Sequence, residues 1–255
     1  MIPRAASPVG VVLVDKPAGP SSHALVEELR RRTCARTGHA GTLDPFATGL
    51  LVLLSGMSTK LAPCFVGLDK RYVTDVDLTS TTTTGDPEGE PSGRHDPPSQ
   101  EELDARLEAL RGEVELPIPA ASAVKIGGER AYRLARKGIQ VEMPVRRSQV
   151  YALDVIAYTG DRVRLGLHVG SGTYVRSIAE ALGGHCLTLR RTAVGPFTVE
   201  EADPTRLVTV AEALGRLPEE ALDRVPYDLR AQVLAFESET AGTTVLPAAP
   251  PARRT

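Results

Sequence analysis

The sequence contains no tryptophan, and only 4% of its 255 residues are aromatic. Its core must therefore be built from Leu, Val, Ile and Ala rather than from large rings. Three cysteines, Cys34, Cys64 and Cys186, are too few and too widely spaced for a disulfide framework. His185 stands beside Cys186, but no second cluster of metal ligands accompanies the pair. We therefore expect a reduced, cytoplasmic protein without a metal.

Long apolar runs are also missing. No run approaches the roughly 20 residues that a membrane-spanning helix needs. The opening stretch MIPRAASPVG lacks the apolar core of a secretory signal. The expected partners therefore do not include a membrane. The net charge is small as well, −2, which argues against a uniformly basic coat for nucleic acid but can hide strong local charge.

The charge is in fact segregated along the chain. Residues 122–150 carry seven basic and two acidic side chains, a local charge of +5. Residues 86–115 carry three basic and ten acidic side chains, a local charge of −7. Charge runs are commonly solvated faces, but this segregation also suits a protein that grips a polyanion with one region. Charge alone leaves both interpretations open.

Hydrophobic periodicity predicts strands and helices in an irregular order. Strands are expected in VGVVLVDK, FATGLLVLLSG, KRYVTDVDLT, QVYALDVIAY and DRVRLGLHVG, and helices in SSHALVEELRRR, SQEELDARLEALRG, GERAYRLARKG, TYVRSIAEALGG and VTVAEALGRL. The stretch STTTTGDPEGEPSGRHDPP predicts an exposed loop, and TAGTTVLPAAPPARRT predicts a disordered tail. Because regular βαβ alternation is missing, we expect an α+β fold with a largely antiparallel sheet.

Six blocks follow one another in a recognisable order: LVDKPAGPSS, GHAGTLDPFATGLL, DKRYVTDVDL, SAVKIGGERAYRLARKGI, GSGTYVRSIAEALGG and LRRTAVGPF. Together they resemble the bacterial tRNA pseudouridine synthase B family, whose members isomerise uridine 55 in the T loop of tRNA. The resemblance runs from about Val9 to about Phe197. It implies the pseudouridine-synthase fold, a mixed, largely antiparallel sheet with a central cleft and flanking helices. It also implies an isomerase that needs no cofactor.

The resemblance assigns roles to individual residues. Asp44, in the L-D-P motif, would be the catalytic nucleophile, and Arg176, in G-T-Y-V-R, would pair with it. Tyr72 would pack on the target uracil, and His39 would help to flip the base or hold the T loop. The other implied substrate-binding positions are Lys16, on the cleft floor with Pro17, Tyr174 beside the arginine, and Leu189 in the uracil pocket.

The chemistry explains why a carboxylate, a guanidinium and an aromatic ring are wanted. Pseudouridine formation breaks the N-glycosidic bond, turns the uracil and rejoins it through C5, with no net gain or loss of atoms or electrons. An ionised carboxylate must be aimed at the nucleoside, and a neighbouring guanidinium favours that form and fixes its direction. Unstacking the uridine costs a few kcal/mol, which an aromatic face partly offsets. Attack on the base and attack on the sugar both stay open.

The implied organisation is a catalytic domain over residues 1–202 and a short C-terminal extension over residues 203–255. Residues 122–145 would be a mobile segment that closes over the T stem-loop of tRNA. Three features depart from the family. Thr83 stands where an aspartate is usual, the segment before Leu189 is short, and the RNA-binding appendage is not recognisable after Asp203. We therefore expect a monomer that binds tRNA with reduced affinity.

Two other functions stay open. A tRNA-binding folding factor with little catalysis would use the same cleft, and Thr83 and the short segment favour it. An N-glycoside hydrolase would cut the bond without rejoining it, but the blocks contain no second obvious carboxylate for that reaction. Pseudouridine, unmodified RNA and free uracil are the products that distinguish the three functions.

Overall fold

The structure, a computed structural model, describes residues 8–122, 124–131, 133, 142–240 and 246. The chain divides into two compact units. Unit 1 combines Met1–Leu68 with Arg191–Thr255, and unit 2 is Asp69–Arg190. Most of the helix predicted in GERAYRLARKG and most of the tail predicted to be disordered lie outside the described residues.

Unit 1 is organised around a buried strand. Its strands are β1 (Gly10–Lys16), β2 (Thr37–His39), β3 (Thr48–Ser55), the end of β12 (His185–Val194) and β13 (Phe197–Thr198). Their order is β1-β3-β12, with β2 paired to β3 and β13 paired to β12. Every residue of β3 after its first is buried, because its continuous apolar run covers both faces of the strand. The central strand predicted from this run is confirmed.

Two helices of unit 1 have side-chain caps. They are α1 (Ser22–Thr33), α2 (Ala62–Val66), α5 (Val210–Gly215), α6 (Glu219–Leu222) and α7 (Tyr227–Thr240), with 3-10 turns at Gly56–Leu61 and Val199–Glu201. The Ser21 hydroxyl caps α1 by accepting from the Ala24 amide, and Thr209 caps α5 in the same way. Sequence analysis did not predict α7, because Val233 is the only fully buried residue among its described side chains.

Unit 2 is a second antiparallel assembly. Its elements are β4 (Lys70–Asp77), β5 (Ser80–Thr82), β6 (Pro91–Arg94), α3 (Gln100–Ala109), β7 (Gly112–Pro117), β8 (Lys125–Ile126), β9 (Glu129–Arg130), β10 (Val145–Tyr158), β11 (Arg162–Val169), α4 (Val175–Ala181) and the start of β12. The strand order is β12-β4-β11-β10-β7. The capping box predicted for α3 from Ser99 and Glu102 is present. The alternating burial of β11 is also as predicted.

Two hairpins correct the sequence-based description of unit 2. The segment predicted to be an exposed loop contains β5 and β6, which pair antiparallel. A second hairpin joins β8 to β9 through Gly127 and Gly128, whose φ angles of 56° and 91° suit glycine. Both hairpins are short and rich in Thr, Ser, Gly or Pro, so they carry little of the apolar alternation that predicts strands. The α+β class and the largely antiparallel pairing are confirmed.

Candidate active site

Asp44 lies in unit 1 on the loop that joins β2 to β3. Its side chain is partly buried, and its backbone carbonyl accepts a hydrogen bond from the Ala47 amide at 3.2 Å. Gly41, in the same loop, has a φ of 104°, a conformation that glycine adopts readily. The loop leads directly into the fully apolar part of β3. One carboxylate therefore stands at the entrance to a dry, rigid strand.

Lys16 holds the backbone that follows Asp44 in sequence. It ends β1, it is completely buried, and its Nζ donates to the carbonyls of Pro17 at 2.8 Å, Pro45 at 3.0 Å and Ala47 at 2.7 Å. An ammonium has three donors, so these bonds offset much of the cost of burying the charge. The geometry gives Lys16 a role in holding the loop. Contact between Lys16 and a substrate stays a prediction.

Ser22 holds the backbone of the residue that precedes Asp44. It is the first residue of α1 and 1% exposed. Its hydroxyl donates to the Leu43 carbonyl at 2.9 Å and accepts from the Leu43 amide at 2.8 Å. The Ser21 hydroxyl alone supplies the cap of α1, and sequence analysis assigned no role to Ser22. The two consecutive serines were the available signal for this second role.

His39 ends β2 and is partly buried. Burial lowers its pKa below the usual 6.5, and the positive charges of Arg191 and His23 lower it further. The imidazole is therefore neutral at neutral pH. Its Nδ1 atom is buried and has no hydrogen-bond partner among the described residues. His39 thus presents a neutral ring, one polar atom of which is buried without a partner in the described part of the chain.

Arg176 lies in unit 2 as the second residue of α4, and it is only 2% exposed. Its Nη1 donates to the Thr84 carbonyl at 2.8 Å and its Nη2 donates to the Ala121 carbonyl at 3.0 Å. Its Nη1 is also 3.5 Å from a carboxylate oxygen of Asp86. Arg176 is thus a buried, oriented guanidinium rather than a surface helix residue. Its predicted pairing with Asp44 stays a prediction.

Asp86 is the acidic residue that sequence analysis missed. It is 3% exposed and lies between β5 and β6. Its Oδ1 accepts from the Thr84 hydroxyl at 2.5 Å and from the Glu88 amide at 3.0 Å. Glu180 lies in the same region, where burial and the charge of Asp86 raise its pKa while Arg176 opposes that rise. The Arg176 guanidinium therefore lies near two acidic side chains, Asp86 and Glu180.

Thr83 has a structural task in this hairpin. Its amide donates to the Glu90 carbonyl at 2.9 Å, and its hydroxyl accepts from the Glu90 amide at 3.1 Å. These bonds close the tip between β5 and β6. The carboxylate that meets Arg176 comes from Asp86, three residues further along. The departure at Thr83 therefore does not deprive the guanidinium of an acidic partner.

The remaining predicted site residues also lie in unit 2. Tyr72 is partly buried in β4, opposite Leu167 of β11. Tyr174 is the N-cap residue of α4 and is partly buried, and Leu189 in β12 is 6% exposed. The structure thus groups Tyr72, Tyr174, Arg176 and Leu189 in one unit, and Lys16, His39 and Asp44 in the other.

Within the described ranges, no group of three or more His, Cys, Asp or Glu residues could hold a metal ion. No helix in that part of the chain is long and apolar enough to cross a membrane. The basic segment predicted at 122–145 includes the β8–β9 hairpin, whereas residues 123, 132 and 134–141 are not among the described residues.

Comparisons with known proteins identify relatives across most of the chain. Residues 30–175 match the family described as TruB family pseudouridylate synthase (N terminal domain). The tRNA pseudouridine synthase B of Xanthomonas campestris pv. campestris (strain B100) is 42% identical over 223 residues, covering 84% of this chain and 70% of that protein. The protein of the same name from Bordetella avium (strain 197N) is 39% identical over 204 residues, covering 76% of this chain and 84% of that protein.

Solved structures share the fold. A chain in the crystal structure of a Cbf5-Nop10-Gar1 complex superposes with a TM-score of 0.57 at 28% identity, covering 74% of this chain and 50% of that chain. A chain of the archaeal box H/ACA sRNP Nop10-Cbf5 complex gives a TM-score of 0.52 at 26% identity, covering 74% and 49%. This protein thus spans about half the length of those chains. Since the family match covers more than half of its residues, the chain belongs to the TruB family of pseudouridylate synthases.

Proposed function

We propose that this protein is a tRNA pseudouridine synthase that isomerises uridine 55 in the T loop, with Asp44 as the nucleophile. The observation that carries the proposal is the loop around Asp44, which lies within the family match. Buried Ser22 and Lys16 hold its backbone on both sides of the carboxylate. A carboxylate held in a reactive position can supply a large part of a rate enhancement.

The proposed reaction has a simple balance of atoms. The Asp44 carboxylate adds either to the uracil ring or to C1′ of the ribose. The N-glycosidic bond breaks, the uracil turns, C5 joins C1′, and the bond to Asp44 breaks so that the carboxylate is regenerated. The C5 proton is lost to solvent, and the freed nitrogen takes a proton from solvent. Water must not capture the sugar while it is severed from the base. The apolar run of β3 behind Asp44 supplies a dry wall suited to that need.

The other site residues have proposed roles in binding and orientation. The Tyr72 ring would stack on the everted uracil and offset part of the unstacking cost. Arg176, held by two carbonyls and by Asp86, would orient the Asp44 carboxylate. The neutral imidazole of His39 would engage the target base or the T loop. Leu189 would line the uracil pocket, and Tyr174 would contact the substrate.

The proposed partner is the T stem-loop of tRNA. Residues 122–150 carry a local charge of +5, which suits contact with phosphates. We place the catalytic part at residues 1–202, with residues 122–145 closing over the RNA, and a reduced extension at residues 203–255. The proposed enzyme is cytoplasmic and monomeric and needs no cofactor.

Replacing the nucleophile tests the proposal most directly. We expect Asp44→Asn to yield no pseudouridine in a T-arm transcript, measured by mass spectrometry after chemical tagging, while still binding that RNA. Asp228→Asn is a matched control, because Asp228 is an exposed carboxylate in the first turn of α7; it should react at the wild-type rate.

Other outcomes would refute either the nucleophile or the proposed function. Pseudouridine from Asp44→Asn would refute the assignment of the nucleophile. Tight RNA binding without product from the wild-type protein would indicate a folding factor, and release of free uracil would indicate a hydrolase.

A further inference from the structure

Arg191 lies in the part of β12 that belongs to unit 1, and it is 1% exposed. Its Nε donates to the Leu50 carbonyl at 2.7 Å, its Nη2 to the Gly41 carbonyl at 3.1 Å and its Nη1 to the Thr42 carbonyl at 3.4 Å. Two of these acceptors precede Asp44, and the third follows the loop in β3. One side chain therefore joins the two ends of the loop that carries the carboxylate.

The backbone of Arg191 is as closely fitted as its side chain. Gly49 begins the buried part of β3 and has a φ of 103°. A Cβ atom at this position would overlap the carbonyl oxygen and the amide nitrogen of Arg191. Only glycine permits the two chains to approach so closely. Arg191 is thus fixed in place exactly where the Asp44 loop re-enters the sheet.

The bonding pattern suits an arginine in particular. A guanidinium presents donors in a rigid plane, so it can reach three carbonyls that point in different directions. Among the described residues, the hydrogen-bond partners of Arg191 are carbonyl oxygens rather than a carboxylate. The positive charge of Arg191 also disfavours protonation of His39 and so helps to lower the pKa of that imidazole.

A buried charge of this kind needs an explanation beyond stability. Replacing buried charged groups by apolar side chains of similar size is often neutral or stabilising. A core that served only to pack β12 against β3 could therefore use an apolar residue. What an apolar residue could not do is hold the carbonyls of Gly41 and Thr42 at fixed positions ahead of Asp44.

We propose that Arg191 is a positioning residue for the reaction, acting through Asp44. It holds the loop at Gly41 and Thr42, and Lys16 holds the same loop on the other side at Pro45 and Ala47. This inference rests on the proposed function, because it concerns the placement of the proposed nucleophile. Displacing a reacting group by about 1 Å can lower a rate by about 100-fold.

The test separates the chemical step from RNA binding. Single-turnover rates are measured at saturating T-arm RNA for wild type, Arg191→Met and Arg191→Lys, together with the Kd of each protein for the RNA. We expect Arg191→Met to react about 100-fold more slowly, with a Kd within about threefold of wild type. Arg191→Lys should fall between the two, because an ammonium can bond some of the carbonyls but lacks the planar fork.

Arg216 provides a matched control in the same unit. Its Nη2 donates to the Pro196 carbonyl at 2.6 Å, and its Nη1 is 2.8 Å from Glu201. Arg216→Met therefore removes a carbonyl hydrogen bond and an ion pair away from the Asp44 loop. It should lower thermal stability and leave the rate per folded molecule unchanged.

Several results would overturn the proposal. One is a wild-type rate in either Arg191 variant; another is an effect confined to Kd. A third is an equal loss of rate in Arg216→Met. Folded protein is quantified by circular dichroism, and if Arg191→Met does not fold, the intermediate rate expected of Arg191→Lys decides the question. If wild type makes pseudouridine and the Arg191 variants make it at the same rate, the positioning role alone fails. A wild type that makes none refutes the proposed function as well.

Discussion

The buried cations of unit 1 and the buried Arg176 of unit 2 are held by different means. In unit 1, Lys16 and Arg191 donate to backbone carbonyls, and most of those carbonyls belong to the loop around Asp44. In unit 2, Arg176 donates to two carbonyls and also lies 3.5 Å from the buried carboxylate of Asp86. In unit 1, the buried cations thus hold the backbone of the Asp44 loop in place. In unit 2, two backbone carbonyls and the Asp86 carboxylate hold the Arg176 guanidinium in place.

This difference determines what each unit loses when a cation is removed. Carbonyls that lose a donor in unit 1 release a loop, so the expected effect falls on placement of the nucleophile. A carboxylate that loses its guanidinium in unit 2 keeps its neutral hydrogen-bond donors but stays buried without a positive partner, so the expected effect falls on stability. The following predictions test that contrast.

The largest effect on stability is expected in unit 2. Arg176→Met should lower the free energy of unfolding by about 3–5 kcal/mol, because it strands the buried charge of Asp86. The double variant Arg176→Met with Asp86→Leu should recover most of that stability without recovering activity. Urea denaturation of the single and double variants measures the difference. Equal stability of the two would show that the pair is not coupled.

A smaller effect is expected at the two adjacent serines of unit 1. Ser22→Ala removes both partners of the buried Leu43 backbone and should cost about 1–3 kcal/mol, with a slower single-turnover rate. Ser21→Ala is the matched control, since it removes only the helix cap and should cost about 1 kcal/mol with the rate unchanged. Loss of rate in both variants would show that α1, rather than the Leu43 contact, controls the loop.

The smallest effect concerns the titration of His39. Its lowered pKa means that the unfolded chain binds the proton more readily, so the contribution of His39 to stability is lost as pH falls below 6.5. Since Arg191 contributes to the lowering, Arg191→Met should raise the pKa of His39 and Arg191→Lys should leave it low. Titration of the imidazole signals by NMR measures the shift. An unchanged His39 pKa in Arg191→Met would show that the charge of Arg191 does not affect the titration of His39.

The elements that sequence reasoning found are those with strong local signals. β3 has a continuous apolar run and α3 has a capping box, so each is specified within a few residues of itself. The β5–β6 hairpin is rich in Ser and Thr, and α7 has only Val233 fully buried among its described residues, so neither shows a clear apolar period. The sequence of each segment therefore gives no direct signal of the element that it forms.

The candidate site shows the same limit. Asp44 and Arg176 could be singled out because they stand in motifs that resemble a family. Asp86, Ser22 and Arg191 could not be assigned their tasks, because they act on a guanidinium or on backbone atoms far away in the chain. Because every residue has a backbone carbonyl, the sequence alone does not reveal which carbonyls a buried cation binds.

The close approach at Gly49 limits how the loop could be redesigned. Thr42 has an exposed side chain, while its carbonyl receives the Arg191 guanidinium. A mutant library that seeks a new RNA preference can therefore vary the side chain at position 42 freely. Position 49 must remain invariant in such a library, because even one added methyl group would force the β12 strand away and change the geometry under selection.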